Sequence, residues 1–192
     1  MVKIGFICEG HTEKLILDSQ EFRETLHLMR VEVVGEVMNV EGNGNLLPKY
    51  LESKSQILFD AEAEYIFILT DSDARAISSI NTEIRPSDKH VLIIAVQKIE
   101  AWFLADSKAM QGLLKDGSYT CDAPESIDIP FDYIRALLLD KRGRGIGPSG
   151  GKLILANRML NHHHFSIARA AEHPNCPSAA YFMQKLNAIA NS

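Results

Sequence analysis

Four acidic residues of this 192-residue chain follow or closely trail apolar runs. Glu9 follows Lys3 to Cys8 (KIGFIC), Asp71 and Asp73 follow Tyr65 to Thr70 (YIFILT), and Glu100 comes shortly after Val91 to Val96 (VLIIAV). Carboxylate oxygens are the ligands that Mg²⁺ and Mn²⁺ prefer, and Mg²⁺ completes its shell with water and substrate phosphates. Carboxylates brought together without a cation repel one another, so a convergent set either holds a metal or holds protons through raised pKa values. In Asp71-Ser72-Asp73 the two carboxylates fall on one side of an extended backbone, because side chains alternate with period two. Both can then reach one ion. Aspartate is common in turns after strands, so this pair draws its significance from standing at a strand end in company with Glu9. Glu13 has two readings, a further metal ligand or a first-turn helix residue favoured by the helix dipole.

Positioning those acids requires a particular scaffold. The runs KIGFIC, YIFILT and VLIIAV read as buried strands, and Val31 to Val40 as a strand interrupted around Gly35. Gly10 supplies a turn, and Thr12 would cap a helix of about 17 residues starting at Glu13. Residues 42–45 (GNGN) form a further turn, followed by a helix from about Leu46 to Phe59. Near-continuous apolar strands alternating with helices predict an α/β fold with a mostly parallel sheet covered on both faces. In such sheets the carboxyl ends of the strands form the ligand crevice, where Glu9, Asp71, Asp73 and Glu100 could converge. A helix starts within Ile99 to Asp106 and carries the single tryptophan, Trp102. Residues 116–132 read as an acidic surface loop, and helices are expected near 131–139, 152–160, 167–172 and 178–190. Residues 1–110 then make the core and 111–192 a mostly helical extension packed on it.

Charge divides the chain in the same place. Residues 1–140 hold 13 Lys/Arg against 24 Asp/Glu, whereas 141–192 hold 7 against the single acid Glu172. A basic segment beside an acidic one suggests a phosphate-binding face next to a metal-binding face, or simply a tail docked by opposite charge. Within the basic part, residues 141–151 (KRGRGIGPSGG) form a glycine-rich loop. Arg142 and Arg144 there, and Lys152 just after it, are candidate contacts to nucleic-acid phosphates. The loop is not a nucleotide-binding P-loop, since Leu153 stands where that motif needs Ser or Thr after the lysine. His162, His163 and His164 point in different directions on a helix and lack an acid or cysteine at ligand spacing, which disfavours zinc. Trp102 and Phe103 read as core in preference to base-stacking residues, and Cys8 as packing. His11 reads as a solvated loop residue. Three scattered cysteines fit a reducing cytoplasm, and no apolar stretch suits a signal peptide or a membrane span.

The pattern strand-EGHTE-helix followed by strand-DSD resembles the Toprim domain of topoisomerases, primases and OLD-type nucleases. With Lys98 to Asp106 (KIEAWFLAD) added, residues 3–106 look like the domain of unknown function 4276 family. The segment Cys176 to Phe182 is similar to that family's end on weaker motifs. Some members act as toxic nucleases in bacterial anti-phage defence beside an ATPase partner. The resemblance implies that Glu9 is the Toprim glutamate and that Asp71 and Asp73 are its metal-binding pair, with Glu100 at a family position. It implies a Mg²⁺- or Mn²⁺-dependent nuclease acting on DNA or RNA, with Glu9, Asp71 and Asp73 catalytic. Two other classes stay open: a non-catalytic module that docks on an ATPase or nucleic acid, and a haloacid-dehalogenase-like phosphohydrolase. The second would need its nucleophilic aspartate after the first strand, where Glu9 stands. A homodimer is compatible with any of these.

Overall fold

The computed structural model describes residues 1–146 and 151–191. Gly147 to Gly150 of the basic loop lie outside the described residues. Five strands, β1 (Val2–Cys8), β2 (Val31–Val33), β3 (Met38–Asn39), β4 (Tyr65–Asp71) and β5 (His90–Ala95), form one sheet in which every pairing is parallel. The order is β2-β1-β4-β5, with β3 also paired to β1. The architecture is a Rossmann-like α/β fold. From β1 the chain moves outward to β2 and β3, while β4 adds on its other side and leads to β5. The strand order therefore reverses between β1 and β4, and the carboxyl ends of these two neighbours flank the crevice that such a reversal opens. Cys8 is in register with Leu69, so Glu9 and Asp71 emerge close together at that edge.

Period-two alternation sends the strand side chains to two apolar layers. Phe6, Cys8, Phe67, Leu69, Ile93 and Ala95 face one, and Ile7, Ile66, Ile68 and Ile94 the other. Helices α3 (Pro48–Asp60) and α4 (Ile77–Ile84) cover the second layer through Leu51, Leu58, Ile80 and Ile84. The first and larger layer is covered by α1 (His11–Leu17), α2 (Gln20–Leu28), α5 (Glu100–Ala105), and helices from the rest of the chain. These are α6 (Ser107–Leu114), α7 (Pro130–Arg142), α8 (Lys152–His163), α9 (Ile167–Ala171) and α10 (Pro177–Ala190). Phe182 of α10 lies with ring centroids 5.7 Å from Phe22, 5.8 Å from Phe67 and 5.9 Å from Trp102. The C-terminal helix thus builds the same core as the first strand.

Two local expectations need correction. The long helix from Glu13 is two helices, broken at Asp18–Ser19, where the Ser19 hydroxyl accepts from the Phe22 N–H and starts α2 afresh. Thr12 does not cap α1; Gly10 occupies the N-cap position with extended backbone and no side-chain cap. Gly5, in the middle of β1, is there because of close packing. A Cβ added to it would lie 2.8 Å from Leu58 Cδ1, and Leu58 is fully buried. Gly5→Ala should destabilise the protein by about 1–3 kcal/mol through overpacking. A lower urea midpoint with an unchanged slope is the expected reading, and an unchanged midpoint would mean that α3 moves away freely.

Candidate metal and catalytic cleft

At the carboxyl edge of β1 and β4 a cleft of about 400 Å³ is lined by Glu9, Glu13, Glu41, Asp71, Asp73 and Glu100, with Lys98 and Lys152 among them. Glu9 leaves β1 and accepts from the Thr70 hydroxyl (2.5 Å) and the Asp71 N–H (3.3 Å). Its own carbonyl accepts from the Gly42 N–H at 2.9 Å, which brings Glu41 alongside. Asp71 ends β4, is buried, and accepts from the Ile99 N–H at 2.8 Å. It thereby caps the start of α5, whose first residue is Glu100. The Glu100 carboxylate is wholly buried, 2.9 and 3.3 Å from Lys152 Nζ. Glu13, at the third position of α1, folds back over Gly10; a Cβ there would meet its Oε2 at 2.8 Å.

Asp73 reaches the cleft by another route than strand alternation. Its backbone is left-handed (φ 49°), as is that of Ala74 (62°) and of Gln97 (58°) opposite. Asp73 N–H donates to the Gln97 carbonyl at 3.0 Å, locking the two turns together. The extended Asp71-Ser72-Asp73 expected from sequence is therefore replaced by a turn, and Asp73 pairs with Lys98. Left-handed conformations at non-glycine residues cost free energy and persist only where the surroundings over-determine them, a pattern concentrated at functional sites.

Burial and like charge together set the electrostatics. Burial, then the charges of Glu9 and Glu100, push the Glu13 carboxyl up to about 7. Burial, then Glu13 and Glu100, hold Asp71 well above the ordinary carboxylate range, although the Ile99 N–H pulls it down. The Asp73 partner raises Lys98 in spite of partial burial that opposes it. Glu13 and Asp71 hold their protons because burial, reinforced by neighbouring carboxylates, penalises the charged forms.

Among the described residues no group of three or more His, Cys, Asp or Glu side chains stands ready around one metal position. Each acid of the strand ends is turned to a partner of the protein itself: Glu9 to Thr70, Asp71 to Ile99, Asp73 to Lys98, Glu100 to Lys152. The donor chemistry still fits a hard divalent cation, since the set is all carboxylate oxygen, and Glu13 and Asp71 are raised by burial beside other carboxylates that a cation would offset. The half-buried Lys98 and Lys152 side chains would have to swing aside.

Of the sequence candidates, Glu9, Glu13, Asp71, Asp73, Glu100 and Lys152 meet in this cleft. Arg142 and Arg144 do not; they line a separate cavity with Arg158, His162 and His163. Sequence reasoning missed Glu41, whose only signal is its place before the Gly42 turn. Trp102 is fully buried and donates to Ser178 Oγ at 2.7 Å, and Phe103 is buried too, so neither offers a base-stacking face. The Cys8 thiol is buried, which pushes its pKa up and leaves no nucleophile. No helix among the described residues is long and apolar enough to cross a membrane. The chain matches no family model, no curated protein and no solved structure.

Proposed function

We propose that this protein is a Mg²⁺- or Mn²⁺-dependent phosphodiesterase that cuts DNA or RNA, in the manner of the Toprim nucleases that the EGHTE and DSD motifs resemble. The observation that carries the reading is the gathering of Glu9, Asp71 and Asp73, with Glu13 and Glu100, at the reversal of strand order in a parallel sheet. Glu9, Asp71 and Asp73 would hold the cation, and Glu100 and Glu13 would border it. Bound there, the ion would lower the pKa of a water and offset charge on the scissile phosphate. The chain's own groups supply the rest. Glu13, with a carboxyl poised at about 7, can take or give a proton near neutral pH. Glu9 is the alternative proton carrier. Lys98 and Lys152, released from Asp73 and Glu100, would become contacts for non-bridging phosphate oxygens. The resemblance adds the biological setting: a toxic effector in anti-phage defence, working with an ATPase partner in the cytoplasm.

The test is cleavage of mixed DNA and RNA by the purified protein with Mg²⁺, Mn²⁺ or EDTA, alone and with a neighbouring ATPase. Cation-dependent cutting that EDTA abolishes is expected. Failure to cut any nucleic acid under all these conditions would overturn the enzyme reading. Turnover of small phosphoesters through an aspartyl-phosphate would point to the dehalogenase class, and partner binding without cutting to a docking module.

A further inference from the structure

A second cavity, of about 490 Å³, opens between the ends of α6, α7 and α8 and shares no lining residue with the carboxylate cleft. Arg142, Arg144 and Arg158 line it with His162 and His163, and no acid does. None of the three arginines forms an ion pair among the described residues; of the others, Arg23, Arg75, Arg135 and Arg169 do, and Arg30 and Arg85 do not. Two of the guanidiniums are held in place by backbone carbonyls: Arg142 donates to Leu113 O at 3.1 Å and Arg158 to Ile146 O at 3.3 Å. Among the described residues their remaining N–H groups have no further partner, and the Arg144 side chain has none. Burial, and then the charges of His162 and Arg142, push His163 below its ordinary pKa. Planar guanidiniums present paired N–H groups that match phosphate oxygens, and like-charged arginines held around one cavity are a receptor for an anion.

We infer that this cavity is a second phosphate-binding site, for a backbone phosphate of the strand that the carboxylate cleft acts on. The inference rests on the nucleic-acid reading above. Helix α8 links the two places, with Lys152 at its start in the cleft and Arg158 and His162 in the cavity. At 1.5 Å rise per residue they lie about 9 and 15 Å further along the helix. A phosphate bound in the cavity therefore belongs to a part of the strand beyond the one over the cleft. The helix would then act as a ruler, setting how much strand must extend beyond the cut.

The experiment measures binding of a single-stranded oligonucleotide of about 12 nucleotides, within the usual range of single-strand sites, in EDTA so that nothing is cut. A dinucleotide and inorganic tripolyphosphate are measured beside it. The double variant R144Q/R158Q should weaken the oligonucleotide roughly tenfold and reduce its salt slope by about 0.7 for each phosphate that is no longer neutralised. The dinucleotide, too short to span both places, should bind both proteins alike. Tripolyphosphate should compete with the oligonucleotide on the wild type and not on the variant. Because Arg158 also ties Ile146, R144Q alone is included; Arg144 has no partner among the described residues to lose, so its variant should remain folded and still lose affinity. Unchanged oligonucleotide binding and salt slope in both variants would overturn the inference. Tripolyphosphate binding abolished in the variant while the oligonucleotide is unaffected would also overturn it, and would assign the cavity to a free phosphate compound. Wild-type cutting separates the two levels: if it is present and the variants bind normally, the second site alone is wrong. If cutting is absent but the variants lose affinity, the nuclease reading fails and the phosphate site stands.

Discussion

Asp71→Asn should reduce cation-dependent cleavage by about a thousandfold or more, the loss expected when several kcal/mol of metal-borne charge stabilisation is withdrawn. The substitution is chosen because of what Asp71 does besides holding charge. Its Oδ1 accepts the Ile99 N–H at 2.8 Å, and asparagine keeps an acceptor there, whereas alanine would leave a buried N–H unpaired. The fold should accordingly stay intact. With metal absent, thermal stability should hold level or rise slightly, since a buried carboxyl is taken out of the company of Glu13 and Glu100. Cleavage by the variant at the wild-type rate would remove Asp71 from the site. A clear drop in melting temperature without metal would show that the carboxyl stabilises the fold, contrary to the repulsion described above.

The second large effect concerns pH. Glu13 has a carboxyl raised from 4.5 to about 7 in the folded protein. The folded state then binds a proton that the unfolded state has released, so stability falls as pH rises between those two values. The difference of about 2.5 pH units corresponds to something on the order of 3 kcal/mol, lost on passing from acid to slightly alkaline solution in EDTA. Asp71 acts in the same direction. His90 and His163, both lowered chiefly by burial, act in the opposite one, because protonating them is easier in the unfolded chain. The informative quantity is therefore the difference between wild type and Glu13→Gln, measured by chemical denaturation across pH. The variant should gain stability over the wild type progressively from about pH 5 to pH 8. Added Mn²⁺ should stabilise the wild type more at pH 8 than at pH 6, since cation and proton compete for the same oxygens. A difference curve flat with pH would mean that burial and the neighbouring carboxylates do not raise the Glu13 carboxyl.

Much of this arrangement is legible in the sequence because it rests on unbroken apolar runs. KIGFIC and YIFILT announce β1 and β4, and an acid directly after each must then stand at the crevice edge. The interruption near Gly35 is legible too, since a residue at φ 67° there separates β2 from β3. What escapes is set by tertiary geometry. The apolar spacing of Leu15, Ile16, Phe22 and Leu26 continues through the break at Ser19, because both short helices turn the same kind of face to one core. Strand alternation suggests an extended Asp71-Ser72-Asp73, yet Asp73 turns left-handed to meet the loop at Gln97, a partner 24 residues away in sequence. Lys152 looks like a phosphate contact from its glycine-rich approach, but nothing there announces its pairing with the buried Glu100 carboxylate, which only the fold makes by bringing the start of α8 to the start of α5. Arg158 is unremarked in the sequence, an arginine within an ordinary helix. Only the packing of α6, α7 and α8 brings it to Arg142 and Arg144.

If Glu9, Asp71 and Asp73 together hold a divalent cation, a crystal structure of the protein grown with Mn²⁺ near neutral pH, read by the metal's anomalous scattering, will locate it. The expected result is a peak in the cleft coordinated by oxygens of Glu9, Asp71 and Asp73, with Lys98 withdrawn from Asp73 and the peak missing in Asp71→Asn. A cleft without manganese at saturating concentration, with Asp73 still on Lys98 and Glu100 still on Lys152, would contradict it.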